Sequence, residues 1–212
     1  MSRRIAFVAS NIPPVYGGAG AQVAKYARSA AENGDEVLVV TNTENPDRIE
    51  GVSLRTFEKV STEEESLLLP LRVFKVILKI AYLLATWKPD VIHGVAGSNL
   101  VMAAVGVANA LRIPTIYEVT LDGSDDLEAI SKRRFGGVLA SVLGAADRIV
   151  GMSPRLVKQC RQYGVSSQKL HVIPNMVDTE CFQPVRADCR SKLREESGRH
   201  REGIYVTWVG VM

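Results

Sequence analysis

Short apolar runs alternate with helix-period segments along nearly the whole chain, and this alternation restricts the fold more than any other feature. Residues 5–9 read as a buried strand. Val23, Ala24, Ala27, Ala30 and Ala31 then recur at helical spacing, and Gly34 sits where a helix C-terminus favours glycine. Residues 37–41 form a second strand and residues 52–56 a half-exposed third. Thr62 to Glu65 fit a capping box ahead of a long helix that Pro70 breaks or restarts. Residues 91–93 are a buried strand, 100–111 a helix apolar all round and therefore fully buried, and 115–119 the next strand. A helix over 126–145, weakened by Gly136-Gly137, leads to a strand at 148–151. The following helix opens with Ser153 as N-cap and Pro154 in its first turn and is closed by Gly164; a strand at 170–173 ends the unit.

Strands separated by helices need crossover connections, which makes the sheet parallel with helices on both faces. Ligands of such α/β sheets collect at the carboxyl ends of the strands. The loops to inspect are therefore 10–20, 42–46, 93–99, 119–126 and 152–154. No internal repeat or low-complexity tract interrupts the pattern.

In 212 residues, 46% hydrophobic and 23% charged, there is material for a sizeable core and no signature of disorder. Lys+Arg 26 against Asp+Glu 23 gives net +3, too mild a balance for a nucleic-acid binder. Cys160, Cys181 and Cys189 are odd in number and lack CxxC spacing, which points to a reducing, cytoplasmic compartment. The apolar segment 67–87 has the length of a membrane span, but Arg72, Lys75 and Lys79 fall on one stripe, so it reads as an amphipathic helix. That helix suits core packing first, with peripheral contact at the inner face of a membrane as the alternative. Beyond Phe182 the composition changes. Residues 186–202 carry six basic and four acidic residues and almost nothing apolar, a solvated helix or linker. Residues 204–209 form a strong strand with no partner after it, expected to be the first strand of a further domain.

Gly17, Gly18 and Gly20 lie between the first strand and the first helix, where glycine lets backbone approach a phosphate at the helix N-terminus; the alternative is a tight turn. Their spacing fits neither the dinucleotide fingerprint nor a Walker loop, which counts against a nucleotide-dependent oxidoreductase or epimerase. His93 ends a buried strand and reads as a structural histidine or a site residue. Glu118, Thr120 and Asp122 alternate at the end of the fifth strand and would share one side if it continued. Asp122 and Asp125 could hold a metal but have no third ligand. Ser124 to Asp126 are expected to cap the next helix, and Lys132-Arg133-Arg134 to form a solvated face, with an anionic acceptor or a lipid headgroup as the alternative partner.

Several segments in order resemble the N-terminal half of a family 4 glycosyltransferase. Pro14-x-x-Gly17-Gly18 opens the first helix; Asn33-Gly34-Asp35-Glu36-Val37 is similar to a "GHEV" turn; Lys88 to His93 matches "KPDVIH". Ile113-Pro114-Thr115, the run from Ala145 to Ser153, and Val172 to Asp178, similar to "VIPNGVD", complete a resemblance spanning residues 3–184.

The resemblance implies the Rossmann-like N-terminal domain of a GT-B fold over 1–184, a charged linker over 185–202, and the start of a truncated donor-binding domain over 203–212. It implies retaining transfer of a sugar from a nucleotide-sugar co-substrate, without metal or other cofactor, to a glycan or lipid-linked acceptor, as in polysaccharide biosynthesis. Gly17, Gly18, Thr120, Ser153 and Asn175 become candidate substrate-binding residues, and Asp122, Glu118 and His93 candidate catalytic ones. Family members often carry a histidine where this chain has Thr120-Leu121, so the sugar contact is absent or falls to Asp122. The basic pair and paired glutamates that hold the donor belong to the second domain, and this stretch alone is expected to bind acceptor without turnover. The competing expectation is a non-catalytic acceptor-binding subunit of a two-chain enzyme.

Overall fold

The computed structural model describes residues 2–60, 68–175, 177, 179–180 and 182–198. The chain divides into two compact units, Met1–Asn175 and Met176–Met212. In the second unit, α7 (Ala187–Glu196) is a helix whose side chains from Cys189 onward are mostly exposed, as its charge pattern predicts. The expected capping box at 62–65 and the expected strand at 204–209 lie outside the described residues.

The first unit is a seven-stranded, all-parallel sheet in the order β3-β2-β1-β4-β5-β6-β7. Its strands are β1 (Arg4–Val8), β2 (Glu36–Thr41), β3 (Val52–Thr56), β4 (Val91–Val95), β5 (Thr115–Val119), β6 (Arg148–Gly151) and β7 (Leu170–Val172). The helices between them are α1 (Gly18–Glu32), α2 (Leu69–Trp87), α3 (Asn99–Ala110), α4 (Leu127–Ser131), α5 (Gly136–Gly144) and α6 (Pro154–Gln162). One face of the sheet packs Phe7, Val37 and Val39 against Val23 and Ala27 of α1. The other packs Val8, Ile92, Tyr117 and Ile149 against α2, α3, α5 and α6. The strand order reverses between β1 and β4, placing a crevice at their carboxyl ends.

An aspartate stands just before each of β2, β4 and β6. Asp35 accepts from the Arg3 backbone N–H at 3.0 Å, Asp90 from that of Arg4 at 2.7 Å, and Asp147 from that of Thr115 at 2.9 Å. Asp147 also returns its own N–H to the Thr115 hydroxyl at 3.1 Å. These carboxylates satisfy strand donors that enter the amino edge of the sheet without a ladder partner.

Two helix expectations need correction. The helix expected over 126–145 is two helices, α4 and α5, with Phe135 between them in the left-handed region at φ 60. A Cβ on Gly136 would lie 2.2 Å from the Ile130 carbonyl oxygen, a close approach that sequence spacing does not reveal. Nor is α3 buried all round. Leu100, Val101, Ala104, Val105 and Ala108 are buried, while Ala103, Gly106, Val107 and Ala110 form a stripe that reaches a surface groove. Of the two expectations for Pro70, the structure shows it in the first turn of α2, where a helix starts.

Removing the Asp147 carboxylate leaves the Thr115 N–H without its partner, while the Thr115 hydroxyl keeps Asn109 Oδ1 at 3.0 Å. Asp147→Ala is expected to cost about 1–2 kcal/mol, measured by urea unfolding, with Asp147→Asn losing less.

Candidate functional site

The carboxyl edge is held by polar side chains that turn inward and leave a few groups free. After β1, the loop base is fixed to the end of β2: the Ile12 N–H donates to the Thr43 hydroxyl at 2.9 Å, the Thr41 hydroxyl to the Ser10 carbonyl at 3.0 Å, and Ser10 Oγ to Asn42 Oδ1 at 3.0 Å. Beyond this base, Tyr16 is 98% exposed, and Gly17 caps α1 in extended backbone. The three glycines here have different tasks. A Cβ on Gly20 would sit 2.1 Å from the Asn11 carbonyl oxygen, so that glycine lets α1 approach its own loop. Around Gly17 and Gly18 no atom lies within 4 Å of an added Cβ. The fold does not need those two side chains to be missing. They stand at the first turn of α1, whose N–H groups have no intrahelical acceptors.

The loops after β4 and β5 are fastened to each other. The Ala96 N–H donates to the Glu118 carbonyl at 3.0 Å, with Ala96 in the left-handed region at φ 62. Asp125 is buried and accepts from the Thr120 N–H at 3.1 Å, the Thr120 hydroxyl at 2.6 Å and the Leu121 N–H at 2.6 Å. The Tyr117 hydroxyl donates to the Asp125 carbonyl. Burial, and next the charge of Asp125, push the Tyr117 phenol well above its usual range. Asp126 caps α4, accepting from Ala129 N–H at 2.9 Å and from Gly123 N–H at 2.7 Å. The helix-cap expectation therefore holds at Asp126, while Asp125 serves the turn before it.

Lys132-Arg133-Arg134 is not a uniformly solvated face. Lys132 pairs with Glu128 at 2.8 Å and Arg134 lies over the Phe135 ring, but Arg133 donates to the Gly97 carbonyl at 2.8 Å and to the Ser124 carbonyl. It thereby bridges the two loops. A basic run gives no sequence signal for such a role, because its neighbours point to solvent.

Glu118, Thr120 and Asp122 do not share one side. Strand β5 ends at Val119 and the chain turns, so Asp122 reaches α6 instead: Arg155 pairs with it at 2.6 Å and Gln159 Nε2 donates to it. Asp122 and Asp125 thus serve different partners. Glu118 is 3% exposed and faces α1. His93 Nε2 lies 2.9 Å from Glu118 Oε2, within ion-pair reach but outside hydrogen-bond geometry, which leaves Nε2 buried without a hydrogen bond. Tyr26 donates to Glu118 Oε1 at 3.4 Å and stacks on His93 at 5.8 Å between ring centroids; Phe7 lies 5.6 Å from the same ring. The Tyr26 phenol is pushed up to about 12, by burial first and then by the charge and hydrogen bond of Glu118. Ser153 caps α6, accepting from the Leu156 N–H at 3.4 Å, and Asn175 is exposed at the end of the first unit. The structure thus places Gly17, Gly18, Thr120 and Ser153 in loops and helix starts at one sheet edge, with half-buried His93 and buried Glu118 beneath it.

The family model for Glycosyltransferase Family 4 matches residues 16–181. No curated protein sequence matches the chain. Among solved structures, a glycosyltransferase from Rickettsia africae aligns with TM-score 0.62 and 12% identity over 93% of this chain and 50% of its own. HepE from Anabaena, solved with UDP-glucose, aligns with TM-score 0.61 and 18% identity over 92% and 50%. A UDP-N-acetylglucosamine 2-epimerase from Rickettsia bellii aligns with TM-score 0.55 and 11% identity over 80% and 44%. The chain spans about half the length of these structures. At such identities they show the shared fold, and transferase and epimerase alike possess it.

Because Tyr26 holds its proton more tightly in the folded state, its contribution to stability is complete below about pH 10 and is lost as the pH rises toward about 12. Glu118→Gln removes the charge that adds to this shift. In an ultraviolet titration the Tyr26 phenol of that variant should ionise at lower pH than in the parent, yet stay above its ordinary value because burial remains.

Proposed function

The chain belongs to glycosyltransferase family 4, and on that footing we propose that it forms the acceptor-side domain of an enzyme that moves a sugar from a nucleotide-sugar to an acceptor. Transfer proceeds with retention, in the cytoplasm and without metal, in polysaccharide or glycolipid assembly. Its partners are a nucleotide-sugar donor and a glycan or lipid-linked acceptor; nucleic acid is not among them.

The observation that carries this reading is the open glycine pair. Gly17 and Gly18 leave unfilled space at the N-terminus of α1 that the fold itself does not require, and a diphosphate can approach backbone N–H groups there. Positive dipole and N–H donors at that point stabilise the negative charge that develops on a departing phosphate. The crevice between β1 and β4 lies at the strand-order reversal where α/β sheets take ligands. Of the three residues expected to be catalytic, Asp122 is the one whose carboxylate reaches solvent, and with Arg155 it is suited to orienting acceptor hydroxyls. His93 and Glu118 act as positioning residues, joining β4 and β5 to Tyr26 of α1 and so fixing where the glycine turn stands. Thr120 and Ser153 contribute loop shape and backbone groups more than free hydroxyls, since both side chains already hold hydrogen bonds. Asn175 is exposed and free to meet a substrate.

The test is a transfer assay with labelled nucleotide-sugars on the native protein. Gly18→Val should abolish transfer while leaving the melting curve unchanged, because space for the side chain exists in the fold. Unchanged transfer would overturn the assignment. Transfer that appears only after a separate donor-domain protein is added would favour the two-chain arrangement.

A further inference from the structure

The strongest feature outside this site is an apolar groove on the opposite face of the sheet from α1. Its floor is the outer stripe of α3, Ala103, Gly106, Val107 and Ala110, at helical spacing. Val76 and Ile77 of α2 form one wall and Leu139 and Val142 of α5 the other. The cavity measures about 400 Å³. From Asn99 to Ala110 the floor runs about 16 Å at roughly 1.5 Å per residue. Polar groups line one end of it: Asn42, Glu58 and Asn99, all at the carboxyl edge of the sheet. An apolar groove with one polar mouth suits a single hydrocarbon chain that carries a polar head.

The outer face of α2 supplies the independent argument. Leu71, Phe74, Leu78 and Tyr82 are 63%, 57%, 52% and 74% exposed and share one stripe with the exposed Lys75 and Lys79. Arg72 is spoken for by Glu58 at 2.8 Å, whereas neither lysine has a carboxylate partner among the described residues. Large apolar side chains interleaved with unneutralised ammonium groups match the interface of an anionic bilayer. No helix among the described residues is long and apolar enough to cross one.

We propose that α2 rests on an anionic membrane surface and that the groove between α2 and α5 takes up one hydrocarbon chain of a bilayer lipid. The inference deepens the glycosyltransferase reading, on which its bearing on the acceptor rests: with the chain in the groove, a polar head lies at the same sheet edge as the glycine turn. Asn42 joins the two places, accepting from Ser10 of that loop and donating to the Phe57 carbonyl beside the groove mouth.

The experiment uses the full chain with vesicles of phosphatidylcholine, with or without phosphatidylglycerol, containing a lipid with a photoactivatable group on its acyl chain. Flotation with the anionic vesicles is expected, with adducts mapping to 103–110 and 139–142. Lys75→Gln with Lys79→Gln should lower partitioning about thirtyfold, roughly 1 kcal/mol for each charge near the surface. Ala103→Phe should keep flotation but lose the α3 adducts. Ala110→Trp, at the exposed end of the groove, repeats this test should Ala103→Phe fail to fold. No flotation, equal flotation with neutral vesicles, or adducts confined to the outer stripe of α2 would each overturn the proposal. So would a stable dimer whose formation excludes the lipid. None of these readouts uses sugar transfer, so the proposal can fail while the glycosyltransferase reading stands, and the reverse.

Discussion

The arrangement of this sheet depends on carboxylates that meet backbone N–H groups at its amino edge. In a parallel sheet each strand is entered from a helix on the same side, so the first donors of several strands arrive without a ladder partner. Asp35, Asp90 and Asp147 take those of Arg3, Arg4 and Thr115. Each aspartate directly precedes its own strand, so each also ties two strands across the sheet: β2 to β1, β4 to β1, and β6 to β5. A slip of one residue would break this contact and turn every core side chain to the wrong face. The carboxyl edge is then left to irregular loops, since the register no longer depends on them.

Those loops are irregular without being loose. Asp125 and Asp126, both buried, absorb the N–H groups of the turn after β5, and Arg133 covers carbonyls on two loops at once. Buried carboxylates of this kind are tolerable because each is met by several donors. With the interior of these loops satisfied, the groups they leave open include the α1 turn at Gly17 and Gly18 and the Asp122 carboxylate shared with Arg155.

The alternation of strands and helices was legible because it follows from local periodicity, and so were Ser153, Pro154 and Gly164 at the ends of α6, whose chemistry is local. The resemblance motifs were legible too, and the structure gives the aspartates of three of them a physical task in the register. What was not legible depended on distant contacts. The break before α5 rests on Gly136 approaching Ile130, and the turn that takes Asp122 away from Glu118 rests on Asp125 gathering three donors. Gly20 could not be separated from Gly17 and Gly18, because packing against Asn11 and openness to a ligand select the same residue. For α3, an all-apolar sequence cannot distinguish a helix covered on every side from one whose outer stripe floors a groove.

That last ambiguity bears on how the two ends of the domain communicate. Ser98 caps α3 through the Val101 N–H, and the next residue, Asn99, donates to the Val60 carbonyl at 3.0 Å at the mouth of the groove. The loop that precedes this cap carries Gly97, whose carbonyl receives Arg133 and whose missing side chain admits Asp125. Helix α3 therefore begins at the candidate site and forms the floor of the groove along its whole length. A rigid helix cannot shift its outer stripe without shifting its capped end, because close-packed interiors transmit displacement. The floor of the groove and the geometry of the β4 and β5 loops are in this way mechanically joined through one helix.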